Sequence, residues 1–227
     1  MKLPIALIVL THDEELNLPN CLENVAPWVQ EIFVVDSYST DGTAEIAKRY
    51  NAKFIEHPFK NQAEQFNWAL LTLEIKSDWI LRLDADERLT PELWQEIAEE
   101  LTTSDVVNDG TNGFYMKRRV YFMGRWIRHG GYYPIWILRL FRRGKGMSED
   151  REMDEHIILL EGKAESLEND FIDDNKKNLE FWINKHNSFS SREVSEAIKL
   201  GQAEGAGEKG LGFEVLKRRS AKRKYYN

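Results

Sequence analysis

Four times within residues 1–105 a short unbroken apolar run is followed by a stretch with helical spacing. The runs are "IALIVL" (5–10), "EIFVVD" (31–36), "AKFIEH" (52–57) and "DWILRLD" (78–84), and the helical stretches span 17–28, 41–51, 61–73 and 90–101. A run without polar alternation reads as a strand covered on both faces. Strand alternating with helix four times predicts an α/β fold: a single Rossmann-like, mostly parallel sheet flanked by helices, with right-handed crossovers. Ligands of such sheets lie outside the carboxyl ends of the strands. The odd polar residues stand there: Thr11 to Glu15, Asp36 to Asp41, and Asp84 to Glu87.

The last of these groups lies in "WILRLDADERLTPE" (79–92). Carboxylates this dense repel one another and are costly to desolvate, so a core does not call for them. Thr90-Pro91 reads as an N-cap with proline at the first helical position, which explains the end of the stretch but not Asp84 and Asp86. In an extended segment the two point the same way with Ala85 opposite. The pair is then either a helix-capping cluster or a site for Mg2+ or Mn2+, which take one or two carboxylates together with substrate phosphates.

Beyond residue 110 the alternation stops and the charge segregates. Gly110 to Ser148 holds no Asp or Glu but nine Lys or Arg, interleaved with aromatics, and Glu149 to Asp174 then holds eleven acids. Blocks of one sign suggest an anionic ligand facing an acid or metal site. "GFYMKRRVYFMG" and "IWILRLFRRG" read as strands, and "KNLEFWINKHNSFSSREVSEAIKLG" as a long amphipathic helix with Leu179, Trp182, Ile183, His186 and Phe189 on one side. "GQAEGAGEKGLG" (201–212) reads as a flexible linker. The net charge of −7 argues against nucleic-acid binding. One cysteine fits a reducing cytoplasm, and the apolar N-terminus is too short to span a membrane.

The order and spacing of "LIVLTHDEELNLPNCL", "EIFVVDSYSTDGTAEIA", "QAEQFNWAL" and "DWILRLDADE" resemble family 2 glycosyltransferases of the GT-A fold over residues 3–100. "MDEHI", "DFIDDN" and "WINKHNSFSSREV" are similar to a bacterial subgroup that builds surface polysaccharide and lipopolysaccharide. The resemblance implies that Thr11 and Glu14 border a nucleoside pocket, that Asp36 accepts from a uracil ring, and that Ser39 and Asp41 shape the turn. Asp84 is expected to face the ribose or the metal, and Asp86 to be the main metal ligand. Gln62, Gln65 and Asn67 fall on the helix that flanks the donor sugar, although a polar helix face accounts for them as well.

The same resemblance implies an inverting, metal-dependent transfer of one sugar from a UDP-sugar to a glycan or lipid-linked acceptor. Such a reaction needs a carboxylate on the acceptor hydroxyl and no nucleophilic residue. "EMDEHI" offers Asp154 and Glu155 as base, Asp154 preferred, with His156 as a further metal ligand or a loop cap. Asp173 and Asp174 stand where many relatives carry a metal-binding histidine, which leaves the third ligand open. Trp126, Arg128 and Arg139 become acceptor-side residues, since aromatic faces stack on sugars and Arg pairs with phosphates. Residues 1–105 form the nucleotide-sugar half, 106–200 the acceptor and base half of the same domain, and 201–227 a basic tail. Six Lys or Arg at 217–224 are expected to meet an anionic membrane surface, giving a cytoplasmic, peripheral protein. Two other readings stand beside this one: a sugar-nucleotide pyrophosphorylase-like enzyme, for which the loop after the first strand lacks glycine, and an inactive membrane-associated module that binds nucleotide-sugars.

Overall fold

The computed structural model describes residues 2–102, 110–149 and 156–203, without the side chains of 192, 193 and 195–203. Asp154, Glu155 and the basic tail lie outside the described residues. Each expected strand and helix of the first half is present: β1 (Leu3–Thr11), α1 (Leu18–Val25), β2 (Val29–Asp36), α2 (Thr43–Arg49), β3 (Lys53–Glu56), α3 (Gln62–Thr72), β4 (Trp79–Asp84) and, after a short β5 (Glu87–Leu89), α4 (Pro91–Thr102). The second half adds β6 (Thr111–Phe122), β7 (Arg125–Trp126), β8 (Trp136–Arg142), β9 (Gly146–Ser148), β10 (Ile157–Leu159), β11 (Lys163–Asp173) and the long α5 (Leu179–Ala203).

The sheet runs β3-β2-β1-β4-β8-β6-β11-β5, with β7 paired to β6. β1 pairs in parallel with β2 and β4, and β2 with β3, as the alternation predicts. β8 then enters antiparallel between β4 and β6, while β11 returns parallel to β6. The result is an α/β sheet of the GT-A kind, parallel through its first half and mixed in its second.

β1 is apolar throughout because both its faces are covered. Ile5, Leu7 and Val9 pack with Leu18 and Leu22 of α1, Ile46 of α2, and Leu93, Trp94 and Ile97 of α4. Ala6 and Ile8 face the other way, onto Phe66 and Ala69 of α3. Each such fully buried large aliphatic contributes about 1.5–3 kcal/mol, so this strand is a firm base for the loops at its end. Register aligns those ends: Thr11 lies beside Asp36, Leu10 beside Asp84, and Asp36 beside Glu56. The polar residues of three loops are thereby delivered to one edge.

The described residues fall into two compact units, the first running to Lys176 and the second starting at Lys177. α5 lies in the second of these units. Along it Trp182 stacks on His186 at 3.8 Å and His186 meets Phe189 edge-on, so the expected apolar side is formed, and Leu179, Trp182 and Ile183 are exposed on it. Its helix continues to Ala203, through the first residues of the expected linker. No helix among the described residues is long and apolar enough to cross a membrane.

Candidate functional site

The loops after β1 and β2 are laced together by short polar side chains. Asp36, at the end of β2, is fully buried; its Oδ1 accepts from Thr11 Oγ1 and Ser39 Oγ, both at 2.6 Å, and its Oδ2 from the Ser39 amide at 2.7 Å. Ser39 Oγ in turn accepts from the Asp13 amide at 2.8 Å, and Asp13 Oδ1 from the Thr40 amide at 2.8 Å. The Glu14 amide donates to Thr43 Oγ1, and its carboxylate accepts from Asn17 Nδ2. Asp41 accepts from the amides of Glu15 and Thr43 at 3.0 Å, so the "STDGT" turn also starts α2 as the sequence suggests. Asp13 (φ 52°) and Tyr38 (φ 59°) hold left-handed backbone that non-glycine residues adopt rarely and at a cost, and such positions gather at binding loops. Thr11, Glu14, Asp36 and Ser39 are thus brought together, with Asp36 as a buried hub whose carboxylate is met by protein donors.

β4 ends at Asp84, and Ala85-Asp86 form a two-residue turn into β5. Ala85 points inward, 4% exposed, while both acids remain partly open. The turn is held by Glu87, which alternation within β5 sends into the core beside Leu89. Glu87 Oε2 accepts from the Asp84 amide at 3.0 Å, and Oε1 meets Arg139 Nη2 at 2.5 Å. Arg139 also reaches Asp84 Oδ2 at 3.2 Å, and Arg82 lies 3.9 Å from Asp84 Oδ1. Burial pushes the Glu87 carboxyl up, against the pull of Arg139 and with help from Asp84 and Asp173. Beneath the turn, burial and then the charges of Glu87, Asp86 and Asp84 raise the Cys21 thiol well above its ordinary value, which keeps it inert.

A third segment, residues 174–176, closes on the first two. The Asp174 amide donates to Asp86 O at 3.0 Å, Asn175 Nδ2 to Asp86 Oδ2 at 2.7 Å, and the Lys176 amide to Asn17 Oδ1 at 2.7 Å. Asp174 itself is taken by Arg88 at 3.1 Å and Lys176 at 2.6 Å. Asn17, 1% exposed, therefore ties Glu14 to the segment that holds Asp86. Among the described residues no set of three His, Cys, Asp or Glu side chains converges as a metal cage. Two partly open carboxylates at a strand end fit Mg2+ or Mn2+ all the same, because these ions need few protein oxygens when a diphosphate supplies the others. The same donor set does not suit zinc.

The remaining expected residues lie elsewhere. Gln62 accepts from Arg82 at 3.3 Å, and Gln65 donates to Ser37 Oγ at 2.8 Å. Asn67 clasps the Ser148 backbone through two hydrogen bonds of 2.8 and 2.9 Å, which joins α3 to β9. His156 uses its carbonyl in the β9–β10 ladder, accepting from the Glu149 amide at 2.9 Å. Arg139 is buried at 5% exposure within the acid turn, not open to an acceptor. Trp126 and Arg128 do come together, the guanidinium 4.1 Å above the ring. The Glu87–Arg139 pair and the Asn17 and Asn175 clasps carry no sequence motif; the one signal for Glu87 is its place two residues before Leu89 in a strand-like "ERL".

The profile described as glycosyl transferase family 2 matches residues 6–157, well over half of the chain, including the loops after β1 and β2 and the Asp84–Glu87 turn. The chain belongs to glycosyl transferase family 2. Among its relatives, the lipopolysaccharide core biosynthesis glycosyltransferase LpsC of Rhizobium meliloti is 35% identical over 155 residues, which cover 64% of this chain and 53% of LpsC. An uncharacterized glycosyltransferase of Rickettsia typhi is 37% identical over 93 residues, 41% of this chain and 31% of the relative. The chain thus spans about half or less of the length of these curated relatives. Of solved structures, TarS of S. aureus aligns over 63% of this chain and 47% of its own, at 20% identity and a TM-score of 0.47.

Proposed function

We propose that this family 2 member is an inverting glycosyltransferase that uses Mg2+ or Mn2+ to move one sugar from a UDP-sugar to a glycan or lipid-linked acceptor in cell-envelope polysaccharide synthesis. One observation carries the reading: Thr11, Asp36 and Asp84 are aligned in adjacent strand ends, and residues 174–176 join the segment after Thr11 to the partly open Asp86. The likeness to LpsC supports the envelope setting.

In this reading the nucleoside lies against the 11–15 and 36–41 loops, which Asp36 locks from beneath. Asp84 and Asp86 would hold the cation, which when bound neutralises charge on the leaving diphosphate. Asn175 fixes one oxygen of Asp86, and Arg139 turns Asp84 towards the mouth while balancing the buried Glu87. Asp154, with Glu155 beside it, takes the proton of the acceptor hydroxyl. That oxygen bonds to the anomeric carbon as the bond to the diphosphate oxygen breaks, and UDP departs with inversion. The acid-free stretch 110–148 faces the acceptor, and the 217–224 basic run meets anionic lipid.

A UDP-sugar screen scored by UDP release tests this. One donor is expected to turn over, and Asp154→Asn to slow transfer by about 10²–10⁴ while leaving donor affinity in place. Absence of UDP release from every donor would leave the inactive-module reading; loss of donor binding in Asp154→Asn would make Asp154 a ligand instead.

A further inference from the structure

Nine cations occupy the acid-free stretch, and the structure separates those already engaged from those that are not. Arg139 is paired with Glu87, Arg118 with Asp173 at 3.8 Å, and Lys145 with Glu161. Arg142 and Arg143 donate to the carbonyls of Thr111 and Ser77. Arg119 and Lys117 both face one carboxylate, the 4%-exposed Asp170: Arg119 Nε at 2.6 Å, Lys117 Nζ at 4.0 Å. Arg125 and Arg128 remain, and among the described residues neither has a carboxylate partner.

Arg128 differs from Arg125 in being presented. It lies on one ring, Trp126, whose π-system also receives Arg119 at 4.7 Å and whose edge meets Tyr133 at 5.0 Å. Tyr133 is in turn anchored, its hydroxyl donating to Asp170 at 3.1 Å. The Trp126 platform is therefore braced from β6, β7 and β11, and Arg128, exposed and above the ring, carries the planar N–H fork that suits a bidentate anion. Arg119 and Arg128 both lie over the Trp126 ring; Arg119 is paired with Asp170, and Arg128 has no carboxylate partner among the described residues.

We propose that Arg128, held on Trp126, reads a phosphate on the acceptor, so that the acceptor class is a phosphorylated glycan or a lipid-linked sugar phosphate. The inference rests on the transferase reading for the word acceptor, but the anion site stands on its own geometry. A soluble phosphorylated sugar and a lipid headgroup share the chemistry, and the test has an arm for each.

The full chain is titrated with inorganic phosphate, with a hexose 6-phosphate and with the neutral hexose, following the Arg128 Nε–H and Trp126 indole N–H signals by NMR. Both phosphates are expected to move both signals, and the neutral hexose neither. Following the Trp126 signal, Arg128→Ala weakens phosphate binding by about tenfold or more, and Arg128→Lys, which keeps charge but loses the planar fork, falls between. Lys48→Ala removes an equal charge from exposed α2 and serves as the control, with binding unchanged. Vesicles of phosphatidylglycerol in phosphatidylcholine are then compared with the hexose phosphate as competitor. Vesicle competition at Arg128 assigns the headgroup as source, and its absence the soluble glycan. Phosphate binding retained in Arg128→Ala, or signals that never move, overturns the proposal. UDP release by the intact chain is a separate measurement, so a failed transferase reading leaves a positive phosphate titration standing.

Discussion

Glu87 and Arg139 place opposite charges in a part of the sheet where water does not reach, 2% and 5% exposed, with their contact at 2.5 Å. Desolvating both is expensive, so the pair contributes less to stability than its geometry suggests, while removing one partner strands the other. Glu87→Gln is expected to lower unfolding free energy by about 3–5 kcal/mol in urea titrations. The double variant Glu87→Leu/Arg139→Met should lose distinctly less than the two single changes added together. If Glu87→Gln proves neutral, the pair does not organise the acid turn. The same pair shows what a residue-level reading of "DADE" does not contain. The backbone turns at Ala85-Asp86 and brings Glu87 under Arg139, and a tertiary ion pair leaves no local trace in sequence.

At the scale of elements, Glu31 of β2 gathers the connection before β4. Its Oε2 accepts from the amides of Lys76 and Ser77 and from Ser77 Oγ, all at 2.8 Å, and Lys53 lies 3.2 Å from Oε1. Desolvation works against the charged form, but these donors outweigh it and hold the Glu31 carboxyl below 4.5. A carboxyl depressed in the folded state contributes stability above its unfolded pKa and loses it as pH falls through the folded value. Glu31→Gln should therefore be less stable than the wild type by about 1–3 kcal/mol at pH 7, with the gap closing as pH drops below 4.5. A gap that persists at low pH would assign the loss to packing instead. The elements themselves were legible: both-face burial of β1 makes it uniformly apolar, and 3.6-residue spacing marks α1 and α4. What periodicity did not reveal was pairing. The antiparallel entry of β8 beside β4 and the use of Asn67 to pin β9 both depend on contacts between segments far apart in sequence.

For the whole molecule, charge segregation is the feature that composition announced and the fold sorts by use. Of the nine 110–148 cations four answer acids of the sheet, one an exposed acid and two backbone carbonyls, so the charge available to an outside anion is concentrated at Trp126–Arg128 and, in our proposal, at 217–224. Deleting residues 214–227 should abolish salt-sensitive binding to anionic vesicles, at about 1 kcal/mol per basic residue, without changing binding to neutral ones; equal sedimentation of the two forms would remove the tail from the account. The central claim, that a sheet mouth clasped around Asp84 and Asp86 takes a nucleoside diphosphate through a divalent cation, has a more direct test. Calorimetric titration of UDP into the full chain is run with and without Mn2+, for the wild type and for Asp86→Ala, whose unfolding curve is recorded alongside. The account predicts Mn2+-dependent UDP binding in the wild type and its loss in a normally folded Asp86→Ala. Equal UDP affinity in all four titrations would contradict it.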